Sequence, residues 1–457
     1  MLIRYSIENF LCFNKRTELS MIPGKGRLLR NHRIKGKNTT DIDVLKSAII
    51  YGANASGKSC LIKSMKFAQE FIINGIKVGS DIPIRKFKLS KNSNTLPTRF
   101  EFEFKYNNSN YAYGFLLDYN KVIEEWLFHI TRVSEKEIFE RITLKNGKVD
   151  IKFPGIMFKS KKEEQFLEFI ALGTRPNKLF LTECYERNVT SNVRNITSIF
   201  DTINWFKRTL TIIFPNSKFQ GLEFEFEKSS KLAKDFKTFM KIFDTGIDDI
   251  ELKHVDFNKV KEIPIEIKND LLNRLKKSSK VMITDPIHNV TYAIIKDENN
   301  KIKTYCLTSK HKMIDSDSFA YFEINEESDG TQRLIDLIPA IIDLFKGNKV
   351  FVIDELDRSL HPKLSNSILN IFLNGTSNVK SQLIVTTHET SLLNLKNIRK
   401  DEIWFIEKNK NGEASLYSLE EFKPRFDKEI RKNYLLGRFG AIPNVSEFEK
   451  YKIINEN

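Results

Sequence analysis

The feature that most constrains this 457-residue chain is the segment Gly52-Ala-Asn-Ala-Ser-Gly-Lys-Ser59. It matches the pattern G-x-x-x-x-G-K-[ST] at every fixed position, which is typical of a loop that binds the phosphates of a nucleotide. A short apolar run, Ser47 to Tyr51, predicts a buried strand before the loop, and an apolar helical pattern follows it to about Ile73. Because a strand and a helix flank the loop, the segment predicts an α/β fold built on a nucleotide-binding sheet.

Each part of this loop has a physical role in holding phosphate. Gly52 and Gly57 let the backbone curl so that its N–H groups point at phosphate oxygens, and the start of the next helix adds a favourable dipole. We expect Lys58 to reach the β- and γ-phosphates and the Ser59 hydroxyl to ligate magnesium, so the predicted cofactors are ATP and Mg²⁺. The predicted ATP-binding residues are Gly52, Ala53, Asn54, Ala55, Ser56, Gly57, Lys58, Ser59 and Cys60.

A second apolar run, Lys349 to Ile353, ends in the two carboxylates Asp354 and Glu355. Taken alone, it is also compatible with an ordinary strand that happens to end in two acids. In a parallel sheet, however, its end would lie at the carboxyl edge, beside the phosphates. We therefore predict that Asp354 holds the Mg²⁺ through a water and that Glu355 is the catalytic general base for the attacking water.

Two further segments complete the predicted site. His388 follows the apolar run Ser381 to Thr386, so we expect it at the same sheet edge, where it would be a catalytic residue in contact with the γ-phosphate or the attacking water. The segment from 328 to 332 precedes a helical pattern and predicts a second anion-binding surface at a helix N-terminus, although alone it is also typical of a helix cap. Its predicted residues are Ser328, Gly330, Thr331 and Gln332.

The remaining pattern predicts how the chain is organised. From Thr98 to Val149, apolar and polar residues alternate, which indicates an antiparallel meander with one buried face. Residues 150–317 are rich in Lys, Phe and Asn and predict a mainly helical insertion without long coiled coils. Beyond 318, strands and helices alternate as in βαβ units. The predicted domains are therefore 1–149, 150–317 and 318–457, with the outer two forming one nucleotide-binding fold.

Composition limits the partners and the compartment. The 74 Lys and Arg residues exceed the 59 Asp and Glu residues, which gives a net charge of +15. This excess is compatible with DNA as a partner, and equally with a solvated basic surface. The four cysteines lie far apart and form no Cys-x-x-Cys pair, which argues against a zinc site or a disulfide framework. Neither a secretory signal nor a membrane-spanning run is found, so we expect a cytoplasmic protein without a membrane partner.

Taken in chain order, the phosphate loop, the Ser328 segment, the Asp354-Glu355 strand and His388 resemble the ABC-type ATPase heads of chromosome-maintenance and DNA-repair proteins. In that family the Ser-x-Gly element of one subunit caps the γ-phosphate held by another subunit. The resemblance therefore implies a homo-oligomer built from head-to-tail dimers with two composite ATP sites. It also implies that 1–149 and 318–457 form an ABC-ATPase head, with a phosphate-loop sheet and a β-meander.

Further motifs narrow the resemblance: Ile-Glu-Asn-Phe10, Asp-Glu-Leu-Asp357 with Ser-Leu-His-Pro362, and Gly437-Arg-Phe-Gly-Ala-Ile-Pro443. Together with the loop, they look like the stand-alone ATPase subunits of two-gene bacterial anti-phage systems of the RloA, AbiLi and AriA (PARIS) kind, which are relatives of OLD-family ATPases. The group implies a sensor that holds a separately encoded toxic effector, often a Toprim-type nuclease, and releases it on a phage trigger. Few residues follow His388, so we expect no nuclease domain in this chain.

Two other functions stay open at this stage. The basic composition is compatible with a DNA-repair ATPase of the RecF or SMC kind that acts directly on DNA ends or gaps. A structural scaffold in which hydrolysis is vestigial is the third hypothesis. The sequence motifs alone favour the sensor because they supply a full ATPase set and no second catalytic set.

Overall fold

The computed structural model describes residues 1–189, 193, 196–219, 221–228, 230–257, 264–275, 278–285, 290–297, 299–375, 379–423 and 429–443. The chain divides into two compact units. The first comprises Met1–Pro215, Leu344–Asp357 and Asn366–Asn457, and the second comprises Asn216–Asp343 and Arg358–Ser365. Within the described ranges, every helix is too short or too polar to cross a membrane.

Strands and helices are both abundant. The strands, in chain order, are β1 (Leu2–Glu8), β2 (Thr17–Ser20), β3 (Arg33–Ile34), β4 (Val44–Leu45), β5 (Ser47–Tyr51), β6 (Thr98–Tyr106), β7 (Ser109–Leu117), β8 (Val122–Ile130), β9 (Glu135–Thr143), β10 (Val149–Lys152), β11 (Leu210–Ile213), β12 (Asp249–Val255), β13 (Lys280–Thr284), β14 (Thr291–Lys296), β15 (Ile302–Lys312), β16 (Phe319–Glu323), β17 (Val350–Ile353), β18 (Gln382–Thr387), β19 (Ile403–Lys408) and β20 (Ala414–Ser418). The helices are α1 (Lys58–Asn74), α2 (Lys161–Gly173), α3 (Phe180–Glu186), α4 (Thr197–Asn204), α5 (Leu222–Lys228), α6 (Ser230–Ile242), α7 (Ile265–Leu275), α8 (Asp329–Lys346), α9 (Pro362–Gly375) and α10 (Ile430–Leu435).

An antiparallel sheet in the first unit confirms the predicted meander. Its strand order is β10-β9-β8-β7-β6-β1-β2. Along β6, Phe100, Phe102 and Phe104 are buried, whereas the charged residues between them are only partly buried. Because successive side chains of a strand point to opposite faces, this alternation directs the aromatic face into the core. Phe102 pairs in register with Tyr113 of β7, which continues the aromatic layer on the next strand.

The second sheet of the first unit is mainly parallel and carries the phosphate loop. Its order is β11-β17-β18-β5-β19-β20, with only the β19–β20 pair antiparallel. Strands β5, β17 and β18 are buried along their whole length, as expected for a parallel sheet covered on both faces. The predicted alternation of strands and helices in βαβ units is thus confirmed. The sequence did not reveal β11, a four-residue strand that pairs with β17.

Helix α1 joins the two sheets in one hydrophobic core. Its apolar face includes Leu61, Met65 and Phe71, and the same core cluster contains residues of β1, β6, β5 and β18. The helix begins after Gly57 and ends before Gly75, whose positive φ of 58° is a backbone conformation that favours glycine. The Gln69 side-chain amide donates to the backbone carbonyls of Phe206 and Leu210, at 2.8 Å each. Gln69 therefore anchors to α1 the backbone segment that leads into β11.

The second unit contains the expected helices and also a sheet that the sequence analysis did not predict. It contains an antiparallel sheet of order β12-β15-β14-β13, with β16 paired to β15, beside helices α5, α6 and α7. Short β-branched runs such as Thr291–Lys296 form these strands, with Ala293 and Ile294 fully buried. A sheet can therefore form here even though lysines interrupt the apolar pattern.

The division between the units also differs from the predicted boundaries at 150 and 318. Residues 150–215 belong to the first unit, because β10 completes the meander and β11 completes the parallel sheet. Residues 318–343 belong to the second unit, since β16 pairs with β15 and the first part of α8 follows it. Pairing between strands distant in sequence, rather than a change in composition, sets the boundary.

Candidate functional site

The phosphate loop lies between β5 and α1, as the sequence predicts. Its curl depends on two unusual backbone positions: Ala55 has a φ of 61° and Gly57 a φ of 120°. At Gly52, a Cβ atom would lie 2.4 Å from the carbonyl oxygen of Ile406 and 2.5 Å from Ser56 Oγ. Gly52 therefore cannot carry a side chain without displacing β19 or the loop itself. The N–H groups of the first turn of α1 have no acceptor within the helix, which leaves them available to an anion.

Lys58 is the cation of this loop and is buried in it. Its ammonium donates to the carbonyl oxygens of Gly52 at 2.7 Å and of Ala53 at 3.1 Å. Burial lowers the pKa of Lys58 to about 8, while the carboxylates of Glu355, Asp354 and Asp357 act in the opposite direction. The ammonium is therefore largely charged at neutral pH, and it is held by two carbonyl oxygens in the electrostatic field of three carboxylates.

One hydroxyl of the neighbouring strand holds the carboxylate of Asp354 and the backbone of Glu355, the two acids that follow β17. Thr386 Oγ1 donates to Asp354 Oδ1 at 2.6 Å and accepts the N–H of Glu355 at 2.8 Å. The N–H of Asp354 in turn donates to the carbonyl of Ile213, at the end of β11, at 2.9 Å. Glu355 has a φ of 51°, a conformation that costs free energy in a non-glycine residue and is common at functional sites. The sheet thus fixes both acids at its carboxyl edge.

His388 lies at the same edge, beside Lys58. Its Nδ1 atom is 3.5 Å from Lys58 Nζ, and its backbone N–H donates to the Asp357 carboxylate at 3.2 and 3.4 Å. Burial, and then the charge of Lys58, lower the pKa of His388 below its usual value. The imidazole is therefore mostly neutral at pH 7 and can donate or accept a hydrogen bond without adding charge.

Sequence reasoning missed two residues of this site, Thr386 and Asp357. Both lie inside motifs that it singled out, but neither was given a role. A threonine inside a buried strand looks like an ordinary β-branched residue. A hydroxyl in a fully buried strand needs a hydrogen-bond partner, and this requirement was the signal that could have identified Thr386.

The remaining loop residues differ in exposure. Ser59 and Cys60 are partly buried and Asn54 is exposed, whereas Ser56 is buried, and its Oγ has no hydrogen-bond partner within the described part of the chain. Cys60 is close to Cys12, and the hydrogen bond between the two thiols lowers the pKa of Cys60. These features fit a nucleoside triphosphate with Mg²⁺. The site has a buried hydroxyl without a partner among the described residues and a loop that leaves no room for a side chain at Gly52. The Ser59 hydroxyl and the Asp354 carboxylate are suitable metal ligands.

The Ser328 segment lies in the second unit, at the start of α8. Ser328 Oγ accepts the N–H of Thr331 at 3.2 Å and lies 2.9 Å from the Thr331 hydroxyl, so it caps the helix as the sequence allowed. The Gln332 side chain donates to the carbonyl of Glu327 at 2.8 Å. A Cβ atom at Gly330 would lie 2.7 Å from the carbonyl oxygen of Ser359. The predicted pairing of Ser328 with Lys58 of another subunit stays a prediction.

Solved structures with a similar course of the chain are distant in sequence. The SMC head domain from Thermotoga maritima is 10% identical, with 91% of this chain and 98% of that chain covered and a TM-score of 0.36. An SmcHead bound to the C-winged helix domain of ScpA is 12% identical, with 93% and 99% covered and a TM-score of 0.37. A search of curated proteins finds no match.

A family model identifies the class of the chain. The model described as "AAA domain, putative AbiEii toxin, Type IV TA system" matches residues 47–168 and 281–394, more than half of the sequence. The first match begins at β5 and contains the phosphate loop, and the second contains the Ser328 segment, Asp354, Glu355 and His388. Because the matched segments hold these site residues, the chain belongs to this family of P-loop ATPase domains.

Proposed function

We propose that the chain binds ATP with Mg²⁺ and hydrolyses it at the site in the first unit. The observation that carries the proposal is the convergence of Lys58, Glu355 and His388 beside a curled glycine loop, at the carboxyl edge of one parallel sheet. Such an edge is where α/β sheets bind ligands. Phosphoryl transfer to water needs a cation on the phosphates and a group that activates or positions the attacking water; the buried lysine can supply the first, and the fixed carboxylate and the neutral histidine can supply the second.

The residues of the site have separable tasks. The loop N–H groups and the Lys58 ammonium bind the phosphates. Ser59 and Asp354 would hold the Mg²⁺, which when bound neutralises charge on the phosphate oxygens. Glu355 accepts a proton from the attacking water, and Thr386 fixes its backbone. His388, anchored through Asp357, positions the water or the terminal phosphate.

The test is a pair of lysine variants on the same helix. Lys58→Ala removes the buried cation and is expected to weaken ATP binding at least about a hundredfold, as for a lost charge-assisted contact in a buried site. Lys63→Ala is the matched control, because Lys63 lies on α1 but is exposed. Isothermal titration with ATP and Mg²⁺ measures both. Equal affinity of the Lys58 variant and the control would contradict the proposal.

The finer part of the proposal is that ATP drives a switch in anti-phage defence. Two copies would associate head to tail, with Ser328 of one facing the ATP of the other, and would hold a separately encoded toxic effector until a phage trigger arrives. The sequence resemblance supports this role, and the toxin–antitoxin wording of the family description is compatible with it. A ligand can shift such an equilibrium only by binding one state more tightly, and a shared ATP does so by contacting both copies.

Light scattering tests the switch. Glu355→Gln in the presence of ATP and Mg²⁺ should shift the protein from monomer to dimer, because an ATP that is not hydrolysed stays between the copies. Adding Ser328→Arg to this variant should restore the monomer, since a bulky side chain would block the shared face. If Glu355→Gln stays monomeric at saturating ATP, the head-to-tail dimer is wrong, whereas the ATPase proposal above survives.

A second candidate, a repair ATPase that binds DNA directly, is favoured by the net charge of +15. Such a protein neutralises several phosphates, so its affinity for duplex DNA falls steeply with salt. Fluorescence anisotropy with a labelled duplex between 50 and 200 mM salt distinguishes the two roles. Tight binding by the isolated chain with a steep salt slope would favour the repair ATPase, whereas weak binding would favour the sensor.

A further inference from the structure

A concentrated basic cavity lies in the first unit, away from the phosphate loop. Its volume is about 420 Å³. Six cationic side chains and a single carboxylate, Asp41, belong to its lining. The cations are Lys35, Lys37, Lys105, Arg208, Lys349 and Lys380. We call this feature the basic cavity.

The basic cavity lies at the opposite edge of the parallel sheet from the ATP site. Arg208 lies shortly before β11, Lys349 directly precedes β17, and Lys380 lies two residues before β18. These are the amino ends of the strands whose carboxyl ends carry Asp354 and His388. Because a strand advances about 3.3 Å per residue, the four residues of β17 separate the two edges by about 13 Å or more. The basic cavity is therefore a second location and not an extension of the nucleotide site.

The single carboxylate of the cavity is already neutralised. Lys105 Nζ lies 2.7 Å from Asp41 Oδ1 and also donates to the carbonyl of Ile42 at 2.5 Å. In the part of the chain that the structure describes, the other five cations have no carboxylate within ion-pair distance. Charges of one sign gathered around a concave surface repel each other and attract an anion of high charge.

Two of the cations are held in place by the sheet. The N–H of Asn348 donates to the carbonyl of Lys380 at 2.6 Å, and the N–H of Gln382 donates to the carbonyl of Lys349 at 2.8 Å. The Lys349 ammonium donates in turn to the carbonyl of Arg208 at 2.8 Å. The backbones that carry these charges are thus fixed by strand pairing, which lowers the entropic cost of binding an anion.

We propose that the basic cavity binds a small, multiply phosphorylated molecule, such as the oligophosphate of a nucleotide. Its volume lies within the range of small-ligand sites, about 300–1,000 Å³. Duplex DNA would instead call for a basic stripe along an extended surface, whereas these charges converge on one concavity. The proposal does not depend on ATP hydrolysis, since it concerns the other edge of the sheet.

Binding of inorganic tripolyphosphate tests the proposal, with Lys58→Ala as the background so that the phosphate loop contributes little. In that background, Lys35→Glu with Lys380→Glu should weaken binding at least about tenfold, because two exposed charges of the cavity are reversed. The matched control is Lys145→Glu with Lys410→Glu, which makes the same charge change at exposed lysines outside the cavity. The control should change the affinity less than about twofold. Equal losses in both pairs would overturn the proposal.

Two further outcomes are decisive. If a 20-base-pair duplex binds to the cavity-intact background, displaces tripolyphosphate and loses affinity in the Lys35/Lys380 pair, the ligand is nucleic acid and the small-molecule proposal is wrong. If that pair does not fold, acetylation of lysines in the unsubstituted protein replaces it. Tripolyphosphate should then protect Lys349 and Lys380 from the reagent while Lys145 and Lys410 react unchanged, and absence of this protection would overturn the proposal.

Discussion

Helices α1 and α8 both begin at a glycine-containing segment that the sequence marks as an anion site, but their first turns differ. The first turn of α1 contains Lys58 and no acidic residue, and it follows a loop whose curl depends on Ala55 and Gly57. The first turn of α8 contains Asp329, and the hydroxyl of Ser328 is already used as its cap. The same device, a helix N-terminus, thus has a cation beside it in α1 and an acidic residue beside it in α8, so on the proposed function α1 is the main phosphate site and α8 an accessory one.

The difference shows what a helix start needs in order to hold phosphate. The dipole and the free N–H groups are common to both helices, and each is worth a modest free energy. At α1 the helix start is joined by a buried cation and a curled loop. At α8 an acidic side chain in the first turn repels an anion. We therefore expect α8 to contact phosphate only when another group, such as Lys58 of a second copy, supplies the charge.

The largest expected effect concerns Glu355, the proposed general base beside the phosphate loop of α1. Glu355→Gln should lower the rate of ATP hydrolysis on the order of a thousandfold, because it removes a general base worth about 10²–10⁴. ATP affinity should change little, since the loop and Lys58 remain. A phosphate-release assay at saturating ATP measures the rate. Glu70→Gln, an exposed change on α1, is the control, and a similar loss there would contradict the assignment.

A smaller effect is expected from the glycine of α8. Gly330→Ala places a methyl group 2.7 Å from the carbonyl oxygen of Ser359 and should lower the free energy of unfolding of the second unit by about 1–3 kcal/mol. Gly173→Ala at the end of α2 has open space around its Cβ and serves as the control. Thermal unfolding of both variants, with ATP affinity measured in parallel, makes the comparison. If Gly330→Ala abolished ATP binding by the monomer, α8 would be more than an accessory.

The pH dependence of ATP binding tests the charge of α1. In the proposed site Lys58 binds phosphate as a cation, and burial lowers its pKa in the free protein to about 8. Bound phosphate raises that pKa, so affinity is full below pH 8 and falls as pH rises. Between pH 7 and pH 9 we expect a loss of about tenfold, one order of magnitude per unit above the free pKa. The slope should disappear in Lys58→Arg, and titration calorimetry at both pH values supplies the measurement.

The smallest effect is expected at the cap of α8. Ser328→Ala should cost about 1 kcal/mol in the free energy of unfolding, because the N–H of Thr331 loses its acceptor. Ser328→Asp keeps an acceptor and should recover most of that loss. If Ser328 also contacts ATP of another copy, the aspartate should still fail to form the ATP-dependent dimer, since it brings a negative charge to the phosphate. Chemical denaturation and light scattering separate the two effects.

The sequence predicted those parts of the fold that are determined locally. The strand, loop and helix around Lys58 are adjacent in the chain, and β17 and β18 are uninterrupted apolar runs, so pattern and motif were sufficient. Strand β11 was not predicted, because its four residues, Leu210–Ile213, are too few to show a clear pattern. They form a strand only by pairing with β17. The sheet of the second unit was missed for a related reason, since lysines interrupt the strands that long-range pairing assembles.

The residues of the candidate site also divide into those that local motifs predicted and those that only the fold reveals. Lys58, Asp354, Glu355 and His388 were predicted individually from their motifs, and the structure brings them to one sheet edge. The Thr386 hydroxyl, which connects Asp354 and Glu355, was not predicted, because its role depends on the spacing of two neighbouring strands. Sequence motifs identify the candidate reacting groups, whereas the residues that orient these groups can be identified only from the packing of the strands.

Thr386 has a consequence for how hydrolysis is timed. A single oxygen atom accepts the amide hydrogen of Glu355 and donates its own hydrogen to Asp354, so one hydroxyl holds both the proposed general base and the proposed metal ligand. A slide of β18 along β17 by even a fraction of an ångström would misalign both acids together. In the proposed ATPase, the general base and the metal ligand would therefore lose and regain their alignment together, because both depend on the same hydroxyl.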